Sequence, residues 1–156
     1  MGMSKEEKWA MLMKHEGFEL DPYEDSLGYL TGGVGHKMTK EDLAEFDPKW
    51  DKDKKQTYWA KKFVEDYKRS STKALSYMQK YNIPPDDSKH FVLTSMMFQL
   101  GPSGGHFPEM FKKLGEGDVQ GAIEEMKTNK KKTGPSRWYA QTPNRVEALA
   151  KILESS

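Results

Sequence analysis

Hydrophobic residues near the start of the chain recur at intervals of three and four, which is the spacing of one face of a helix. They are Trp9, Leu12 and Met13. The pattern predicts an amphipathic helix over residues 5–15, ended by Gly17, because glycine is a common residue just past a helix. Glu16 continues the same stripe, so the pattern places a carboxyl group on the apolar face at the helix end.

The periodicity changes between residues 18 and 36. The turn signals there are Asp21-Pro22 and Asp25-Ser26, and β-prone pieces lie around Tyr23, at Tyr29 to Thr31 and at Val34. Short β-prone pieces separated by turns predict a small antiparallel sheet. A short helix over residues 40–46 should follow, since Asp47-Pro48 stops it.

The longest periodic segment covers residues 57–80 and predicts one long helix. Its apolar face contains Trp59, Phe63, Tyr67, Ala74, Leu75 and Met78. The segment HFVLTSMMFQL, residues 90–100, is apolar nearly all round, which is typical of a central buried helix. Further helices are expected over 107–114, 118–126 and 143–154, with a turn at 101–105 and a polar loop at 128–136.

These elements predict an α+β protein that is mainly helical, with a small β lobe and a larger helical lobe joined by the long helix. The chain has 156 residues, so one domain accounts for it. Its charged residues nearly cancel to a net charge of +1, which argues against a nucleic-acid partner. Its start lacks the apolar core of a signal peptide, and no stretch is apolar enough for membrane insertion.

Metal and thiol chemistry are not expected. The chain has no cysteine, which excludes a disulfide framework and a thiol nucleophile. The histidines are His15, His36, His90 and His106, and none of their spacings is that of a metal-binding helix. We therefore expect no cofactor and no metal ion.

Two acids in the stretch HEGFELDPYEDSLGYLTGGVGH suggest a reaction. Burial disfavours the charged form of a carboxyl group, so Glu16 on its apolar face is built like a general acid. Asp25 lies in a turn with polar, partly wet surroundings that keep a carboxylate ionised. Such a pair is what glycoside hydrolysis needs, and the surrounding glycines allow a bulky ligand to approach. A glutamate at a helix end and an aspartate in a turn are also common structural features, so these residues alone leave both interpretations open.

Four motifs together resemble a known family. HEG, YEDSLGYLTGGVGH, MMFQLG and SRWYAQTPNR occur in the order found in the phage-type lysozymes, the muramidases best known from T-even bacteriophages (glycoside hydrolase family 24). The resemblance covers nearly the whole chain. It implies a single lysozyme domain over 1–156 with an active-site cleft between two lobes. The implied parts are a small β lobe at about 17–56, a connecting helix at about 57–80, and a helical lobe at about 81–156 that includes the N-terminal helix 4–15.

By resemblance, the catalytic residues are Glu16, Asp25 and Thr31. Glu16 corresponds to the acid that protonates the oxygen of the β-1,4 bond between N-acetylmuramic acid and N-acetylglucosamine. Asp25 and Thr31 correspond to the residues that hold the attacking water on the opposite face, as in an inverting enzyme. His36 corresponds to a histidine that pairs with an aspartate of the long helix, here Asp66. We interpret that pair as structural, the alternative being His36 as a catalytic base.

The resemblance also suggests residues that bind the substrate. Phe98 and Gln99 should lie near the cleft, although spacing alone favours Phe98 as a core residue. Arg137 and Arg145 are candidates for binding carboxylates of the peptide stem, or for salt bridges at helix ends. Lys37 follows the GGVGH histidine, where the family often has an apolar residue lining the cleft.

The implied biology is that of an endolysin. We expect a monomer that acts on the glycan strands of peptidoglycan and stays in the host cytoplasm, without a signal peptide, until a holin releases it to the cell wall or periplasm. Three alternatives remain: a tail-associated lysozyme used at entry, a lytic transglycosylase, and a catalytically silent peptidoglycan-binding module. Asp25 and Thr31 argue against a transglycosylase, which uses a single acid, and the presence of both acids argues against the silent module.

Overall fold

The computed structural model describes residues 3–25, 28–101 and 107–156. The predictions for Ser26, for His106 and for most of the 101–105 turn concern residues outside these ranges. The helices are α1 (Lys5–Glu16), α2 (Lys40–Glu45), α3 (Lys52–Lys80), α4 (Asp87–Leu100), α5 (Pro108–Gly115), α6 (Val119–Lys127), α7 (Arg137–Gln141) and α8 (Pro143–Glu154). The strands are β1 (Glu19–Glu24), β2 (Leu30–Gly33) and β3 (His36–Lys37). The mainly helical α+β class predicted from sequence is therefore confirmed.

Residue contacts divide the described chain into two units. The first unit is Lys5–Arg69, and the second unit contains Ser70–Ser156. Helix α1 packs within the first unit, whereas the resemblance grouped it with the helical lobe. The division into lobes stays a prediction. None of the described helices is both long enough and apolar enough to span a membrane.

The sheet of the first unit is antiparallel with the order β1-β2-β3. Tyr23 lies opposite Thr31, and Thr31 lies opposite Lys37, so these three side chains form a row on one face. Val34, expected in a strand, instead lies in the turn between β2 and β3, where its side chain is buried. Gly33 and Gly35 have φ of 58° and 62°, a left-handed conformation that ends the strand on either side of Val34.

The sheet packs on Trp59 of α3. A Cβ added to Gly33 would lie 2.9 Å from this indole, and one added to Gly32 would overlap it. The indole Nε1–H donates to the carbonyl of Leu20 at 2.8 Å, which also ties β1 to α3. Phe46 and Tyr58 complete this small aromatic core. The glycines therefore serve close packing as well as turns.

Helix α3 differs from its prediction at two points. It begins five residues earlier than expected, since the Asp51 side chain accepts the backbone N–H of Lys54 at 2.8 Å and so starts the helix within the lysine-rich segment. Leu75, placed on the buried face, is 49% exposed. Ala74 and Met78 are buried one turn apart, and Leu75 lies 100° around the helix from Ala74.

The second unit is built around α4, whose residues Phe91 to Met97 are all buried, as predicted. Helix α8 begins at Pro143 as predicted, but the Thr142 hydroxyl donates to the carbonyl of Trp138 and does not cap the helix. Helix α7 was not predicted. Its signal in the sequence is Ser136, whose side chain accepts the Tyr139 N–H at the helix start.

Candidate functional site

A tight loop fixes Asp25. The Asp25 N–H donates to the carbonyl of Tyr29 at 2.8 Å, and the Tyr29 N–H donates to Asp25 Oδ1 at 2.9 Å. Gly28 turns the chain between them with φ of 86°, and its N–H donates to the Asp25 carbonyl at 3.0 Å. The Tyr29 N–H thus orients the Asp25 carboxylate, and the other two bonds hold the loop around it.

The second oxygen of Asp25 faces Thr31. Thr31 Oγ1 lies 3.4 Å from Asp25 Oδ2 and 3.1 Å from the carbonyl of Tyr29. The side chain of Thr31 is only 4% exposed, because it lies in the middle of the sheet row between Tyr23 and Lys37. A hydroxyl and a carboxylate are thus held side by side on one face of the sheet.

Glu16 is the last residue of α1 and is half-buried. The turn between β2 and β3 packs against it, since a Cβ added to Gly35 would lie 2.5 Å from Glu16 Oε2. Leu12, on the same stripe, is fully buried, whereas Met13 is 42% exposed. The apolar face predicted for α1 is therefore narrower than expected, and Glu16 lies at its edge.

Tyr23 responds to both candidate acids. Burial raises the pKa of this phenol, and the negative charges of Glu19, Asp25 and Glu16 raise it further. The charges of Glu16 and Asp25 both raise the pKa of Tyr23, and Thr31 contacts Asp25. The three predicted catalytic residues therefore lie in one region of the first unit.

Lys37 extends the same row of side chains. Its ammonium lies 4.7 Å from the centroid of the Tyr29 ring, within the range of a cation–π contact. Both residues are exposed, Tyr29 at 55%. A cation on an aromatic ring therefore stands next to the loop that holds Asp25.

The predicted contact between His36 and Asp66 is present, with His36 Nδ1 2.6 Å from Asp66 Oδ2. Sequence reasoning missed a second carboxylate: His36 Nε2 lies 2.7 Å from Oδ2 of Asp42. Burial by itself lowers the pKa of His36, but hydrogen bonds to Asp66 and Asp42 outweigh it, so the pKa lies above the usual histidine value. The position of Asp42 in the first turn of α2 gave no sign of this contact.

The four proposed substrate-binding residues outside the sheet lie in the second unit. Gln99 is engaged there, since its Oε1 accepts the Trp138 indole N–H at 2.8 Å. Phe98 is half-buried beside it on α4. Arg145 is 6% exposed in α8, and Arg137 is exposed at the start of α7.

A pocket of about 630 Å³ lies in the second unit, and sequence reasoning did not find it. Phe107 and Met110 contribute apolar lining, while Asn129, Lys130 and Arg137 contribute polar and cationic groups. Two acids also line the pocket: Glu109, and Glu125, which forms an ion pair with Lys132. The sequence signal is the run of lysines within 128–136, a segment for which the pattern predicts only a polar loop.

Among the residues that the structure describes, no group of histidine and acidic side chains is arranged to hold a metal ion.

A family model described as Phage lysozyme matches residues 13–147, a stretch that contains every residue discussed above as catalytic or substrate-binding. Comparison with curated proteins gives no match.

Proposed function

The chain belongs to the phage lysozyme family and is therefore a lysozyme-type hydrolase of peptidoglycan, and we propose which bond it cleaves and by which mechanism. The bond is the β-1,4 linkage between N-acetylmuramic acid and N-acetylglucosamine, and the reaction inverts the anomeric centre. The observation that carries this proposal is the pairing of Asp25 with Thr31 on the sheet that also packs its turn against Glu16.

Glu16 acts as the general acid. It gives its proton to the glycosidic oxygen as the bond to the anomeric carbon breaks, and the leaving sugar departs as an alcohol. Gly35 supports this role because it presents backbone without a side chain to the Glu16 carboxyl group. A Cβ at that position would overlap the Glu16 carboxyl group and displace it.

Asp25 and Thr31 hold the water that attacks the anomeric carbon. A water placed against the Thr31 hydroxyl and Asp25 Oδ2 can donate one proton to the carboxylate while its oxygen forms the new bond. Asp25 takes up that proton, so the charges balance with the proton that Glu16 has given. Inverting enzymes keep their two carboxyl groups roughly 6.5–9.5 Å apart to make room for this water.

Lys37 and two cations of the second-unit pocket bind anionic parts of the substrate. The ammonium on the Tyr29 ring offers a charge to carboxylates carried by the muramic acid substituent. The second-unit pocket combines apolar lining with Lys130 and Arg137, which suits a peptide stem that has both methyl groups and carboxylates. Phe98, Gln99 and Arg145 complete the proposed binding set, Gln99 through the N-acetyl groups.

We also propose a biological role for this chemistry. We infer an endolysin that acts as a monomer, accumulates in the host cytoplasm and reaches the wall when a holin opens the membrane. Lysis of the host cell is then the expected outcome. A tail-associated lysozyme with the same chemistry is the alternative role.

Digestion of purified peptidoglycan by the wild type and by Glu16→Gln tests the function, with the new sugar ends identified by mass spectrometry. The wild type should produce reducing N-acetylmuramic acid ends, and the variant should produce none while remaining folded. Anhydro ends would identify a lytic transglycosylase. Binding to peptidoglycan without any new ends would identify a silent binding module.

A further inference from the structure

Asp42 is a buried carboxylate that the proposed reaction does not use. It lies in the first turn of α2 and is 2% exposed. Its Oδ2 accepts the backbone N–H of Thr39 at 2.9 Å and lies 2.7 Å from His36 Nε2. Its Oδ1 accepts the Tyr58 hydroxyl at 2.9 Å and lies 3.0 Å from the ammonium of Lys62. Both oxygens are therefore saturated by donors that favour the ionised form.

His36 lies between Asp42 and a second carboxylate, Asp66, at distances of 2.7 and 2.6 Å. A neutral imidazole has one N–H and can donate to one of them only, whereas an imidazolium has two N–H groups and satisfies both. The geometry thus selects the doubly protonated ring. The same bonds hold the pKa of Asp42 well below its usual range, although burial alone would raise it.

The contacts of His36 with Asp42 and Asp66 act on the turn between β2 and β3. This turn packs against Glu16, the proposed general acid. His36 is the first residue of β3 and directly follows Gly35, whose backbone packs against Glu16. On the other side of the turn, Gly33 packs against Trp59. The indole of Trp59 therefore packs against the start of the turn, and two carboxylates hold His36 at its end.

We propose that Asp42 is a positioning residue for hydrolysis, since it keeps His36 bound between two carboxylates and thereby holds Gly35 against Glu16. The proposal rests on the proposed function in taking Glu16 as the acid. Asp66 alone would leave His36 attached to α3 only, whereas Asp42 ties the same ring to α2. The turn is thus joined to two helices at once.

The charged groups around the His36 ring make its protonation state depend on Asp42. Lys62 is bound to Asp42, and Arg69 is bound to Asp66 at 3.0 Å. Glu45 of α2 and Glu65 of α3 add negative charge near Lys62. Without Asp42, one of the two anions that hold the ring disappears while the cations remain, so the imidazolium loses its proton at lower pH.

Asp42→Asn removes this charge at nearly constant shape, and Glu41→Gln is the matched control because Glu41 is an exposed acid in the same helical turn. We expect the NMR-measured pKa of His36 to fall in Asp42→Asn and to stay unchanged in Glu41→Gln. The ratio of variant to wild-type kcat should then drop roughly tenfold to a hundredfold as pH rises through the lowered pKa, with KM unchanged. Dividing by the wild type at each pH removes the pH dependence that the two enzymes share.

A merely structural role would lower the melting temperature and leave the kcat ratio independent of pH, and that result overturns the proposal. If Asp42→Asn does not fold, the wild type decides: nitrogen NMR must show protons on both His36 ring nitrogens at neutral pH, and a singly protonated ring overturns it. A wild type without turnover would refute the proposed function instead, because the NMR titration does not depend on activity.

Discussion

The two carboxylate oxygens of Asp25 have different partners, and each contact has its own effect on the site. Oδ1 accepts the Tyr29 N–H, and Oδ2 faces the Thr31 hydroxyl. The first contact fixes the orientation of the carboxylate, and the second creates a place with two polar groups for a water molecule. The proposed mechanism therefore depends on one hydroxyl group of Thr31.

Thr31→Val removes that hydroxyl group while keeping the shape of the side chain. We expect kcat to fall roughly tenfold or more, because a misplaced reactant slows the chemical step. Thr31→Ser is the control, since it keeps the hydroxyl group and should retain most of the activity. Steady-state kinetics on purified peptidoglycan give both values, and equal kcat for Val and Ser would remove Thr31 from the mechanism.

Lys37→Met keeps the length of the side chain and removes its charge. If Lys37 binds a substrate carboxylate, KM should rise about three- to tenfold at low salt, and the difference should shrink at high salt because exposed charges are screened. Lys40→Met is the control, as Lys40 is an exposed lysine at the start of α2. A KM that is the same for wild type and both variants would contradict the assignment.

At the scale of elements, the turn between β2 and β3 carries most of the constraints. Gly35 combines a left-handed backbone, with φ of 62°, and a close approach to Glu16. Gly117 has φ of 81°, but among the described residues no atom apart from those of its chain neighbours lies within 4 Å of an added Cβ. Substitutions at the two glycines can therefore be compared to distinguish the effect of backbone strain from that of steric contact.

Gly35→Ala and Gly117→Ala should both lose about 1–2 kcal/mol in the free energy of unfolding, since each places an L-residue in the left-handed region. Only Gly35→Ala should also lose kcat, because its Cβ meets the Glu16 carboxyl group. Urea unfolding and turnover of both variants check this. Full activity of Gly35→Ala would mean that the turn does not position Glu16.

Helix α7 and the 128–136 loop form the basic side of the pocket. Arg137→Gln should raise KM severalfold on glycan strands that carry peptide stems, because it removes a guanidinium that binds carboxylates. The same variant should behave as wild type on strands stripped of their stems by an amidase. An equal change on both substrates would assign Arg137 a role other than binding the stem.

For the molecule as a whole, the His36 network makes stability depend on pH from two sides. The pKa of His36 is raised on folding, so its contribution is fully present below about 6.5, the unfolded value, and is lost as pH rises through the folded pKa. The pKa of Asp42 is lowered, so its contribution is present above about 3.9 and is lost as pH falls through the folded pKa. The free energy of unfolding should therefore be highest between these limits.

Asp66→Asn removes one partner of His36 and should move the alkaline loss of stability to lower pH while leaving the acid side, which depends on Asp42, largely in place. Urea unfolding at several pH values between 3 and 9 measures both limbs for wild type and variant. Superimposable pH profiles, apart from a constant offset, would show that Asp66 does not set the protonation of His36.

Sequence periodicity determined the fold class and the buried helix α4, and Pro143 marked the start of α8, because hydrophobic spacing and helix-start signals are local properties of the chain. The motifs determined the family and pointed to Glu16, Asp25 and Thr31. Only the tertiary structure decided that Asp42 reaches His36, that the hairpin glycines pack on Trp59, and that a pocket lies beside Arg137. These features join residues of different elements, and neither hydrophobic spacing nor capping signals record which elements meet.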